Sequence, residues 1–94
     1  MFSQLLVSYD IENDKNRRKV YQELKNIGLF PIQRSVFWGY VLPSEKKSVR
    51  DILKKYCKDA DKAFLTNVQL DKDEDNLIGY EDSEFLHPES FEVI

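Results

Sequence analysis

The chain has 94 residues, 41% of them hydrophobic and 33% charged, with a formal net charge of −3. That balance excludes a disordered chain, no apolar run approaches the roughly 18 residues that a membrane span needs, and the single cysteine, Cys57, excludes an internal disulfide. One soluble, cytoplasmic domain is expected, with no basic leader ahead of the first apolar run. Its core is small enough for self-association to help. The charge is uneven: residues 1–70 hold 13 of the 14 Lys and Arg and carry +5, whereas residues 71–94 carry −8. A basic body can face a polyanion while an acidic tail stays clear of it, although a solvated surface gives the same count.

Residues 4–9 read as a buried strand. The polar stretch from Asp10 follows, and Asn13 or Asp14 is placed to cap a helix. That helix runs to about Ile27, with Val20, Tyr21, Leu24 and Ile27 as its apolar stripe and Gly28 as its C-terminal cap. Residues 30–42 read as two strands, with Ile32, Val36 and Trp38 alternating with Gln33, Ser35 and Phe37 and with Gly39 as a turn or bulge. A second helix opens at Pro43-Ser44 with Ser44 as its cap. Val49, Ile52, Leu53 and Tyr56 form its apolar stripe, and Lys46, Lys47, Arg50, Lys54 and Lys58 form a basic face. A fourth strand covers Ala63 to Leu70, with Phe64, Thr66, Val68 and Leu70 on one side.

The order β-α-β-β-α-β predicts an α+β, ferredoxin-like sandwich over residues 1–70. Residues 71–94 read as an acidic linker, a short fifth strand at Leu77–Tyr80 and a tail. An open sheet leaves edges that a second copy can cover, so a homodimer is expected.

The chain carries no P-loop and no GxGxxG, and one cysteine with one histidine cannot close a zinc site. His87 lies in the polar tail, a poor place for a catalytic base. Asp10 is the informative residue. A carboxylate at a strand end can bind Mg²⁺, and two copies across a two-fold axis can share one ion that activates water against a phosphate. The alternative is a loop aspartate satisfied by backbone amides. Arg17 and Arg18 lie in the first turn of the helix, where the dipole does not favour them, and with Lys15, Lys19 and Arg34 they are placed to hold phosphates. Tyr9, Phe37, Trp38 and Tyr40 read as core residues, any of which could stack on bases if it faces the open side of the sheet.

Taken together, Tyr9-Asp10-Ile11, then Arg17, Gly28 and Gln33-x-Ser35-Val36-Phe37-x-Gly39, resemble the CRISPR-associated Cas-two proteins over nearly the whole chain, most densely over residues 5–42. The resemblance implies a ferredoxin-like homodimer. It also implies metal-dependent endonuclease activity on single-stranded RNA or double-stranded DNA, with Mg²⁺ as cofactor and Mn²⁺ as substitute. It implies a place in the spacer-acquisition complex with the Cas-one integrase. It makes Asp10 the metal ligand and catalytic residue, with Tyr9, Arg17, Ser35 and Phe37 as supporting neighbours. Arg18 and Arg34 fall beside the motif, and Trp38 stands where the family often has a polar residue.

Two functions remain open on these residues. In one, paired Asp10 carboxylates and Mg²⁺ hydrolyse phosphodiesters. In the other, the chain is a non-catalytic scaffold whose Lys46, Lys47, Arg50, Lys54 and Lys58 grip a nucleic-acid backbone while the tail docks on the integrase. A ribonuclease toxin of the same fold is a third possibility.

Overall fold

The computed structural model describes residues 1–71, 73 and 75–81. Its elements are β1 (Ser3–Asp10), α1 (Asp14–Ile27), β2 (Phe30–Gln33), β3 (Val36–Val41), α2 (Pro43–Tyr56) and β4 (Lys62–Asn67). The sheet order is β2-β3-β1-β4, antiparallel throughout. Each helical crossover skips one strand, which is the ferredoxin-like arrangement that the element order predicts. Among the described residues no helix is long and apolar enough to cross a membrane.

β1 lies between β3 and β4, and its pleat sorts its side chains. Leu5, Val7 and Tyr9 are buried, whereas Gln4, Leu6 and Ser8 are half-buried and Asp10 is exposed. The buried set meets Phe37 and Val41 of β3, Val20 and Leu24 of α1, and Val49 and Leu53 of α2 in one core. Both helices therefore cover the same face. Fully burying side chains of this size stabilises the fold by about 1.5–3 kcal/mol each. Tyr56 of α2 adds a hydrogen bond from its hydroxyl to the Glu23 carboxylate of α1.

Helix α1 starts and stops where its sequence directs. The Asn13 side chain accepts from the Asn16 amide at 2.9 Å, and Gly28 takes a left-handed φ of 112° that closes the last turn. Helix α2 does not start as expected. Pro43 occupies its first turn with φ already set, so the cap is Leu42 and Ser44 lies inside the helix. The Glu45 carboxylate takes over the capping role and accepts from the Leu42 amide at 2.7 Å.

Three further expectations are corrected. Gly39 is neither turn nor bulge but mid-strand in β3. The chain reverses at Arg34–Ser35, and the irregularity lies at Pro31–Gln33. β4 ends at Asn67, and its core-facing residues are Ala63 and Leu65, so Phe64 (54% exposed) and Thr66 share the outer face with Leu6 and Ser8. Leu77–Tyr80 is not a strand in the single chain, where no partner edge reaches it. Trp38 is fully buried, as its reading as a core residue expects, and lies on the face away from the helices. Its indole N–H donates to the Gln4 side-chain oxygen at 3.1 Å, and the same oxygen accepts from the Leu70 amide at 2.9 Å, which holds the chain after β4 to this spot.

Gly39 is required by close approach. A Cβ there would lie 2.9 Å from the Leu29 side chain and 3.3 Å from the Leu29 Cα. Gly39→Ala is expected to cost about 1–3 kcal/mol as an overpacked core. Urea unfolding checks this, and an unchanged midpoint would show that the Leu29 segment shifts freely.

Candidate active site at the end of β1

Asp10 is the last residue of β1 and lies on the outer face. Its carboxylate takes part in no hydrogen bond or ion pair among the described residues. Tyr9, one residue earlier, points the other way into the core. Its backbone amide donates to the Ser35 carbonyl at 3.0 Å, which ties β1 to the β2–β3 turn. Its ring stacks on Phe37 with centroids 6.2 Å apart. Burial raises the Tyr9 pKa, opposed by the Ser35 side chain and by Arg17, so the phenol stays protonated at neutral pH. Ser35 adopts a left-handed φ of 59°, a conformation that costs a non-glycine residue about 1–2 kcal/mol.

The loop after Asp10 is held from two sides. The Arg17 guanidinium donates to the Ile11 carbonyl at 3.0 Å and the Glu12 carbonyl at 3.3 Å, and it pairs with the Asp14 carboxylate. These acceptors offset the unfavourable helix dipole at this position. From the other side, the Asp61 carboxylate accepts from the Glu12 amide at 3.1 Å and from the Lys58 amide at 2.9 Å. Those two amide hydrogen bonds hold the Asp61 pKa below the usual carboxylate range. Sequence reasoning missed Asp61, since its bond to Glu12 spans 49 positions and no local spacing rule reaches it.

A pocket of about 470 Å³ opens between α1 and the β2–β3 turn, lined by Tyr9, Arg17, Arg18, Tyr21, Arg34 and Ser35 among others. Phe37 is fully buried and touches the Tyr9 and Tyr21 rings, so it supports the pocket from the core. The structure thus brings Tyr9, Arg17, Arg18, Arg34 and Ser35 together. Asp10 does not line this pocket, because the pleat turns it to the opposite face.

The basic face of α2 is partly committed. Lys46 donates to the Asn67 side chain at 2.6 Å and Lys47 pairs with Asp51 at 3.1 Å. Arg50 and Lys54 are exposed and line a second groove with Lys62. Cys57 is half-buried at the end of α2, and burial, with the Asp61 carboxylate nearby, pushes its thiol pKa up and disfavours the thiolate. His87 lies outside the described residues.

Among the described residues no group of three or more His, Cys, Asp or Glu is placed to hold a metal ion. Asp10, at the strand end, offers hard oxygen donors with no competing partner among the described residues. That suits Mg²⁺, which keeps several waters and uses one or two carboxylates.

The family described as CRISPR associated protein Cas2 matches residues 3–81. A CRISPR-associated endoribonuclease Cas2 of Francisella tularensis subsp. novicida (strain U112) is 37% identical over 81 residues, covering 85% of this chain and 84% of the relative. A second, from Pyrobaculum aerophilum, is 41% identical over 68 residues, covering 72% and 74%. A solved structure described as a crystal structure of cas2 superposes with a TM-score of 0.69 at 24% identity, covering 88% of this chain and 93% of the other, a likeness of fold.

The Asp61 clamp has a pH signature. A lowered carboxylate pKa contributes stability that is present above the ordinary value of 3.8 and is lost as the pH falls through the lowered one. Asp61→Ala is expected to be less stable than the parent at pH 7, with the difference shrinking below about pH 4. Denaturant melts across pH 2–7 check this, and a difference that persists unchanged into acid would contradict it.

Proposed function

We propose that this chain, which belongs to the CRISPR-associated Cas2 family, is a metal-dependent endonuclease that cleaves phosphodiester bonds of single-stranded RNA, with Asp10 as the residue on which cleavage depends. Double-stranded DNA is the alternative substrate. The observation that carries the reading is the Asp10 carboxylate: exposed, without a hydrogen-bond partner among the described residues, and followed by a loop clamped at both ends. A carboxylate kept only for stability would be expected to accept backbone hydrogen bonds, as Asp61 does. The endoribonuclease names of the relatives favour RNA over DNA.

The roles follow from placement. Asp10 supplies the metal-binding oxygens. Bound Mg²⁺, or Mn²⁺ in its place, supplies charge that polarises the phosphate and lowers the pKa of a water. Arg17 is a positioning residue, because it donates to the Ile11 and Glu12 carbonyls and pairs with Asp14. Tyr9, Ser35 and Phe37 fix the end of β1 against the β2–β3 turn. Arg18 and Arg34, both exposed at the pocket rim, hold flanking phosphates. One chain brings one carboxylate, so we place the working site in a homodimer with two Asp10 side chains facing each other. The free edges of β2 and β4 and the exposed Phe64 on the outer face support that assembly.

A second reading rests on a separate observation. Arg50, Lys54 and Lys58 are exposed on a body of charge +5, a surface suited to holding a nucleic-acid backbone without cutting it. In that scaffold role the acidic tail would dock on the Cas-one integrase. The two roles are compatible, and cytoplasmic action suits both.

Asp10→Ala is expected to lower the cleavage rate by roughly a hundred-fold or more with an unchanged circular dichroism spectrum. EDTA is expected to stop the parent and Mg²⁺ to restore it. Parent-like cleavage by Asp10→Ala would remove Asp10 from the mechanism, whereas lost cleavage with retained nucleic-acid binding separates the catalytic role from the scaffold role.

A further inference from the structure

We infer that Lys62 is a substrate-binding residue of the Asp10 site, set to hold a non-bridging oxygen of the phosphodiester beside Asp10. The inference rests on the hydrolytic reading above and adds to it a cation from a different strand.

Three observations carry it. Lys62 is the register partner of Asp10 across the antiparallel β1–β4 pair. Directly opposed residues in such a pair have Cβ atoms about 4.5–5.5 Å apart and share one face. Both residues are exposed, yet they form no ion pair with each other, and neither side chain has another hydrogen-bond or ionic partner among the described residues. The acid next to Lys62 in the chain, Asp61, is already committed to the Glu12 and Lys58 amides. Lys62 also lines the groove of about 450 Å³ between α2 and β4, whose other cations are Arg50 and Lys54.

Electrostatics gives these facts a direction. The Asp10 carboxylate by itself repels a phosphodiester, and beside whatever ion it would hold, a cation on the adjacent strand adds attraction where the phosphate must come. Arg50 and Lys54 lie on the helix side of the same edge strand, so Lys62 stands where that cationic groove meets the outer face that carries Asp10. Lysine suits this use, as a compact point charge on a flexible stem. Lys46 and Lys47 are less available, being paired with Asn67 and Asp51.

The test uses the full chain and a 5′-fluorescein-labelled single-stranded RNA. Binding is measured by anisotropy across a salt series in an Asp10→Ala background, and cleavage is measured in the parent background. Lys62→Ala is expected to weaken binding about ten-fold and to flatten the log–log salt slope by about 0.7, the loss of one single-strand phosphate contact. It is expected to raise KM more than it lowers kcat. Lys62→Arg is expected to retain both affinity and slope, and Lys25→Ala, which removes an equal charge from the last turn of α1, to leave both unchanged. Parent-like affinity and slope in Lys62→Ala overturn the inference, as does an equal loss in Lys25→Ala. If Asp10→Ala itself cleaves like the parent, the hydrolytic reading fails instead, and the binding series still decides Lys62 on its own.

Discussion

The pleat of β1 governs the rest of the molecule. Leu5, Val7 and Tyr9 sink into the core under both helices, and the same two-residue period turns Asp10 outward. A one-residue slip would bury Asp10 and expose the apolar set, so the core that stabilises the fold also fixes the direction of the acidic side chain. The neighbours of β1 fix its register independently, through β3 on one side and β4 on the other. The aspartate is therefore aimed by the most heavily paired strand of the sheet and not by a flexible loop.

Around that strand end the polar groups divide into two sets. Arg17, Asp14 and Asp61 are bonded within the chain itself, mostly to the backbone of residues 11–12. Asp10 and Lys62 are left uncommitted, opposite each other on the outer face. The first set explains why the second can remain so: a loop clamped by an arginine from α1 and an aspartate from the α2–β4 turn needs nothing from Asp10. Arg17 thus braces the loop while also lining the pocket beside Tyr9. Its neighbours Arg18 and Arg34 stay exposed at the rim of that pocket, on the other side of the strand.

Much of this was legible in the chain alone. The Asn13 and Gly28 caps, the element order and the helix stripes follow local rules of period and capping, except that Tyr21 of the α1 stripe is 41% exposed at the pocket instead of buried. Asp10 was legible as a residue at a strand end. What escaped depends on contacts distant in sequence. Trp38 and Phe37 are both fully buried because the sheet is covered on both faces at β3, with Gln4 and Leu70 meeting beneath Trp38, and alternation alone cannot distinguish two covered faces from one. Gly39 looked like a turn because glycine often marks one, whereas it is small to admit Leu29. Asp61 joins the site only through its bond to Glu12, 49 positions away. The capping of α2 by Glu45 was hidden by a serine of the right type one position too late.

The hydrolytic role of Asp10 turns on whether a divalent ion is held at the outward-facing end of β1. Crystals of the full chain soaked in Mn²⁺ and measured at the manganese absorption edge answer that directly. The expected result is an anomalous peak within coordination distance, about 2.0–2.3 Å, of an Asp10 carboxylate oxygen, with the partner subunit's Asp10 close enough to share it. Manganese bound only elsewhere, or two Asp10 side chains far apart in the dimer, would contradict it.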